Sequence, residues 1–320
     1  MGLRGERLLN NLKNALDEGA AGSVSAVRGA LSQIEDYGDI WYVDSVGGTT
    51  YGLGKSWSTA FSTITLAVAA ASAGDIILCR GSTFSEAVTV SLAGLQIIGV
   101  GNTPNEAIWT ADADAVCLTI AADSVLVTNF RIRPPAYSAD RTTCGINISA
   151  APYVRIIGNR FQGKAGSQIA IYGTTASSVG HGHILNNEFA FMNTATYGTG
   201  IDCVGTGGGF WQNFIIRGNY FNSCVVGIDM DLRYSLIEGN YIYDYGLSAA
   251  SALESILDRG IDLTGGYGNI VTKNYLAGDY STATYIAATG DSWIGNTSDD
   301  IAETTEVGAE TGITFRVPQA

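Results

Sequence analysis

The sequence predicts an all-β solenoid, and three observations predict it. Seven apolar runs close on asparagine, at Asn129, Asn159, Asn187, Asn219, Asn240, Asn274 and Asn296, and an aromatic or long apolar residue usually follows within two positions. These asparagines recur every 21 to 34 residues, the range of a repeating coil rather than of a compact globule. A second motif, in Gly145-Ile-Asn-Ile148, Gly200-Ile-Asp-Cys203, Gly227-Ile-Asp-Met230 and Gly260-Ile-Asp-Leu263, reads as a glycine bend followed by in-out-in alternation. The composition, with 41 Gly, 16 Tyr, 5 Pro and 15% charged residues, places Ile, Val and Thr in short runs bounded by Gly or Asn, which favours strands over helices.

Residues 1–38 precede the repeat and are expected to form a helical attachment arm. Leu8, Leu9, Leu12 and Leu16 fall on one helical face, and after Ser23 a second stripe follows at Val24, Val27, Leu31 and Ile34. Helices this short are not stable alone, so both stripes are assigned to a contact with the chain's own body, another copy or a larger assembly. Residues 39–83 are expected to cap the solenoid. Asp39–Asp44 reads as a strand, Gly47–Gly54 as a Gly-rich loop, Ser56–Ala73 as an apolar helix ending near Gly74, and Ile76–Cys79 as the start of the sheet.

Residues 84–302 are expected to wind some eight coils, their strands stacked at about 4.8 Å. The alternation places Ile146, Ile201, Ile228 and Ile261 inward and Asn147, Asp202, Asp229 and Asp262 outward. The asparagine series is assigned to coil corners, because Asn tolerates the left-handed conformation and its amide bonds to backbone and to the Asn above and below. Residues 303–320 leave the repeat; Thr311–Val317 reads as a terminal strand that covers the end of the solenoid or pairs with another chain.

A formal charge of −13 with no cluster of Lys and Arg argues against nucleic acid as a partner. Cys79, Cys117, Cys144, Cys203 and Cys224 are odd in number, widely spaced and set mostly in apolar runs, which suits buried thiols better than a disulfide framework or a zinc site. No cofactor or metal is expected; Asp112-Ala-Asp114 lacks the remaining ligands of a calcium loop. The first residues carry no apolar signal core, so synthesis in the cytoplasm without a signal peptide is expected, and no run approaches the roughly 20 apolar residues of a membrane span.

Two groups of residues are candidates for function. Asp202, Asp229 and Asp262 would lie on consecutive coils about 5 Å apart, with Asp231 on the same side as Asp229. Carboxylates that close imply a raised pKa, a bound cation or generous hydration, and a pair of them is what glycoside hydrolysis uses. The structural alternative is that an Asp after Gly-Ile solvates the outer face and bonds to the next turn. The second group, Trp211, Tyr241, Tyr243, Tyr245 and Tyr267, lies near loops of varying length and is expected to offer an exposed aromatic surface for glycans.

The run of strand, Gly-rich loop, Lys55-Ser-Trp-Ser-Thr-Ala-Phe61, Ala-rich helix, Ala73-Gly-Asp75 and strand resembles the N-terminal cap of pectate-lyase-like right-handed parallel β-helices. The resemblance covers about residues 39–300 and implies that the helix plugs the open end of the first coil. Gly180-His181-Gly182 is similar to the Gly-His-Gly motif of polygalacturonase-like β-helices, which use outward aspartates on adjacent coils. Here His181 precedes Asp202 and no Arg-x-Lys follows, and Arg233 is the basic residue nearest in sequence to Asp229 and Asp231. The arm, the capped β-helix and the low charge density together resemble the bacteriophage appendage branch of this fold: tailspikes, head fibres and decoration proteins. That resemblance implies a homotrimer in the virion, docked on other virion proteins through residues 1–38, whose β-helix projects toward host surface glycans. The alternative it implies is a polysaccharide hydrolase or lyase that uses the Asp column.

Overall fold

The computed structural model describes residues 38–298, apart from residues 82, 112–114, 136–142, 150, 164–167, 176–178, 191–197, 206–208, 223, 244–258, 278–282 and 287–289. The apolar stripes of the arm (Leu8, Leu9, Leu12, Leu16, Val24, Val27, Leu31 and Ile34), Tyr245 and the terminal segment Thr311–Val317 lie outside the described residues.

The chain cycles through the same sheets coil after coil. One turn runs from Leu126–Thr128 in sheet A to Arg131–Arg133 in sheet B and Ile146–Ser149 in sheet C, then returns to sheet A at Arg155–Ile157. The described strands make a ten-stranded sheet A, a nine-stranded sheet B and an eight-stranded sheet C, each paired in parallel with the coils above and below. A three-stranded sheet D, made by Val179–Gly180, Trp211–Gln212 and Leu232–Arg233, sits between C and A in the middle coils. The protein is a right-handed parallel β-helix, the hand that parallel crossovers take.

Alternation sets the core. Ile146, Ile171, Ile201, Ile228 and Ile261 stand in register on sheet C and are fully buried. Opposite them, Phe161, Phe189 and Phe221 stack inside sheet B, with centroids 5.0 and 4.5 Å apart and planes within 5°. Stacking like on like is how a solenoid extends one core along its axis. Gly145 is a bend as expected, but Gly200, Gly227 and Gly260 are strand residues instead. Gly200 and Gly227 lie within strands, and a Cβ on Gly200 would stand 2.7 Å from both the Gly227 carbonyl oxygen and the Phe221 ring. They are glycine because sheet C there passes too close to sheet B's inward residues for a side chain.

The corner leaving sheet A carries the asparagines, one position later than expected. Asn159, Asn187, Asn219, Asn240, Asn274 and Asn296 are buried, while the residue before each one (Gly158, Asn186, Gly218, Gly239, Lys273, Gly295) has the positive φ. Asn129 is out of phase: it has φ 62° itself, and Phe130 takes the ladder position, its N–H donating to Asn159 Oδ1 over 3.0 Å. Asparagine is used here for its donor and acceptor rather than for backbone freedom.

The cap differs from the single helix expected over Ser56–Ala73. Trp57–Thr59 is a 3-10 turn, Phe61 is extended and bridges to Val43 and Thr49, and only α1 (Ile64–Ala70) is α-helical. Thr63 fixes its start by accepting from the Leu66 N–H, and the Glu86 carboxylate accepts from the N–H groups of Ile64 and Thr65 at 2.8 and 2.9 Å. The orphan amides at a helix start need acceptors, and here Thr63 and Glu86 supply them for three. Ile64 and Ala67 are buried among the core residues of the first strands.

Candidate functional site

Two outward columns bring the candidate residues together. On sheet C the register places Asn147, Tyr172, Asp202, Asp229 and Asp262 in one line, as the Gly-Ile-Asx motif predicts. Asp202 and Asp262 are not solvated, at 3% and 4% exposed, whereas Asn147, Asp229 and, beside the column, Asp231 are half-buried. Asp262 is held by Arg259, whose Nη1 lies 2.6 Å away, and its other oxygen accepts from the Thr264 N–H at 3.0 Å and from the Thr264 hydroxyl. Asp231, between sheets C and D, accepts from the Gly205 N–H at 2.5 Å and lies against the backbone of Gly265. Asp262 thus stabilises its own strand end, and Asp231 ties one coil to the next. A hydrolytic pair would need solvent access that the covered Asp202 and Asp262 lack.

His181 is a corner residue. It occupies the turn entering sheet A with φ 65°, and its exposed ring stacks on Tyr153, which has φ 56°, at 4.9 Å and 7°. Gly182 follows because the Phe214 ring occupies the space a side chain would need. Burial, with Arg155, Arg217 and His181 alongside, holds His183 below the usual histidine range.

The thiols are unsuited to nucleophilic work. All five cysteines are free and buried. Burial pushes Cys117 up to about 12 and drives Cys79, Cys144 and Cys203 well above the ordinary thiol range. Among the described residues, no three His, Cys, Asp or Glu side chains gather as metal ligands, and no helix is long and apolar enough to cross a membrane.

The aromatic candidates divide. Trp211 is fully buried in sheet D, edge-on to Phe214 at 5.6 Å and 87° and pressed against Gly173, so the expectation of an exposed Trp211 is corrected: its position on the two-residue strand points it into the core. Tyr243 is also buried. Tyr267 packs beneath Arg233 and accepts a hydrogen bond from the Tyr234 hydroxyl at 2.9 Å, and that bond holds the Tyr234 phenol above its ordinary range. Tyr241 belongs to a column that the sequence reading saw only in part.

That column runs along the outside of sheet B. Tyr220, Tyr241 and Tyr275 stand in register, each the residue after a ladder asparagine. Their rings stack at 5.2 Å and 13°, then 4.7 Å and 19°, and Tyr243 meets Tyr220 and Tyr241 edge-on. Tyr220 is 41% exposed and Tyr241 is 38% exposed. Because the ring faces cover one another, the column offers solvent its ring edges. Along the same line, Glu188 and Arg160 form an ion pair at 3.3 Å. The column is a strip of regularly spaced, part-exposed tyrosine rings on a rigid sheet, suited to lining a repeating polyhydroxyl chain. Tyr220 was missed, although the recurring Asn-Tyr pair at 219, 240 and 274 signals it.

No known family model matches the chain, and no curated protein matches it. Among solved structures it is similar to pectate lyase Pel9A, with 16% identity and a TM-score of 0.50 over 87% of this chain and 74% of that one. It is also similar to the GH136 lacto-N-biosidase from Eubacterium ramulus, with 11% identity and a TM-score of 0.47 over 89% of this chain and 61% of that one. Geobacillus virus E2 ORF18 aligns with 13% identity and a TM-score of 0.46 over 90% of this chain and 66% of that one. The likeness is one of fold alone. The chain spans about three fifths of the length of the lacto-N-biosidase.

Proposed function

We propose that the chain is a non-catalytic appendage of a bacteriophage particle, a tailspike, head fibre or decoration protein. Residues 1–38 attach it to other virion proteins, and its β-helix holds host surface glycans along the outside of sheet B. The observation that supports the glycan part is the contrast between the two columns: Tyr220 and Tyr241 are exposed, whereas Asp202 and Asp262 are covered and Asp229 is half-buried. The virion part rests on the sequence, through the amphipathic arm and the capped β-helix that resemble phage appendages.

The test is retention of the full chain on immobilised neutral and acidic bacterial polysaccharides, while reducing ends and the absorbance of unsaturated products are followed in the same samples. Binding without new ends is expected, with Tyr241→Ala weakening retention about tenfold and Asp229→Ala leaving it unchanged. New ends that vanish in Asp229→Ala would overturn this reading in favour of polysaccharide cleavage. Removal of residues 1–38 should abolish incorporation into particles, and incorporation that survives would remove the docking role.

A further inference from the structure

The outside of sheet A carries apolar residues at many of its outward positions. Its outward positions run in register from Ile40 in the first coil to Ser292 in the last, and from Tyr42 to Ile294 beside them. Ile76, Leu126, Ile215, Leu236, Ile270 and Ile294 are among them, and all are at least part-exposed; Ile270 is 49% exposed and Ile294 is 60% exposed. Outward-facing positions of a solvated sheet are ordinarily polar.

The charges on this face are few and largely answered within it. Asp44 accepts from Arg80 at 3.0 Å, and Glu238 lies 3.2 Å from Lys273 and 3.9 Å from Arg217. Arg155 and His183 add no negative charge. A groove of about 360 Å³ opens on the same face, with Ile215, Tyr234, Leu236 and Ile270 in its walls, enough room for a protruding apolar side chain from a facing molecule.

The dimensions fit a partner of the same length. Ten strands at a spacing of about 4.8 Å give a face roughly 45 Å long, and with the flanking corner side chains it is about 15 Å wide. That is roughly 650 to 700 Å² on each partner, or about 1,300 Å² in all, at the lower end of the range of stable interfaces. We propose that the outer face of sheet A is the surface on which this chain packs against a second copy of itself.

The experiment is light scattering after size exclusion, with sedimentation velocity across a dilution series, on the full chain. The wild type is expected to associate at micromolar concentrations. Ile270→Glu combined with Ile294→Glu places two carboxylates in the contact and should weaken association about a hundredfold, with circular dichroism and Tm unchanged because both side chains are exposed in the monomer. If the double variant does not fold, Ile294→Glu alone serves, with a smaller shift in the same direction. Val46→Glu, on the exposed cap loop, should leave association as it is. A wild type that stays monomeric at high concentration overturns the proposal, as does a folded double variant that associates as before, which would place the contact on the arm or another face.

Discussion

Every coil turns two sharp corners beside sheet A, and they are built differently. At the corner leaving the sheet, the amides of Asn159, Asn187, Asn219, Asn240 and Asn274 each donate to a carbonyl of the coil before and to the Oδ1 of the asparagine in the coil after, as Asn219 does to Ile184 at 2.8 Å and Asn240 at 2.9 Å. The same Oδ1 also accepts the backbone N–H of the preceding ladder residue, at 2.9 to 3.0 Å. At the corner entering the sheet, the Phe214 N–H donates to the Ser235 hydroxyl, the Ser235 N–H to Asn269 Oδ1, and the Asn269 N–H to Asp291 Oδ1. What every position of that second corner shares is an acceptor for the neighbouring N–H, which Ser, Asn and Asp all supply; Asn269 also donates to the Leu232 carbonyl and Asp291 Oδ1, and Ser235 donates to the Arg233 carbonyl. A ladder whose every member gives and receives in the same way propagates by repeating one residue type; a ladder that asks only for an acceptor at each step does not.

The largest effect expected from breaking this comparison is at Asn219. Asn219→Ala removes four hydrogen bonds and leaves the buried Asn187 N–H without its partner. With a net value of about 1 kcal/mol per bond and a further 1–3 kcal/mol for the stranded group, a loss of about 5 kcal/mol or more is expected. Urea unfolding followed by far-UV circular dichroism measures it, and a loss under about 1 kcal/mol would mean that the ladder adds no cohesion beyond the sheets.

At the entering corner the same truncation should cost less. Asn269→Ala removes three hydrogen bonds and strands the buried Ser235 N–H, for about 4 kcal/mol, and Ser235→Ala removes two and strands the buried Phe214 N–H, for about 3 kcal/mol, against about 5 kcal/mol or more at Asn219. The ordering 219, 269, 235 is the content of the prediction, and urea midpoints at constant slope read it. Equal losses at Asn219 and Ser235 would erase the distinction between the two corners.

The same difference explains what the sequence disclosed. The leaving corner was legible because an amide ladder repeats itself, and the Gly-Ile-Asx motif gave the correct register on sheet C because strand alternation has a strict period of two. Asn129 misled by one position, since asparagine suits both the left-handed turn and the ladder. The entering corner left no repeat to read. Burial of Asp202 and Asp262 was not legible either, because alternation says which side a residue faces and not what else covers that side. Trp211 failed for a related reason: a two-residue strand gives no period from which to tell inward from outward. Likewise the apolar stretch after Ser56 kept a helical composition, but Phe61 is used as a bridge to the first strand and the helix starts only after Thr63. Tyrosines 220, 241 and 275 were readable in principle, from the residue that follows each ladder asparagine.

The smallest expected effect has the opposite sign. The leaving corner puts glycine in the left-handed turn at 158, 218, 239 and 295 but Lys273, with φ 56°, in its next-to-last described coil. The entering corner accepts Tyr153, His181 and Tyr234 in the equivalent turn, and their rings pack on one another or on Tyr267. Lys273→Gly relieves about 1–2 kcal/mol of left-handed strain. It gives back about 0.5–1 kcal/mol to the freer unfolded chain, and it loses an exposed ion pair with Glu238 worth little. A net gain of about 0.5 kcal/mol is expected, seen as a small rise in Tm. Tyr234→Gly relieves the same strain but also loses the bond to the Tyr267 hydroxyl and the cover over Gly268, so no gain is expected. A rise in Tm for Tyr234→Gly as large as for Lys273→Gly would show that the aromatic rings of the entering corner do not compensate the strain they impose.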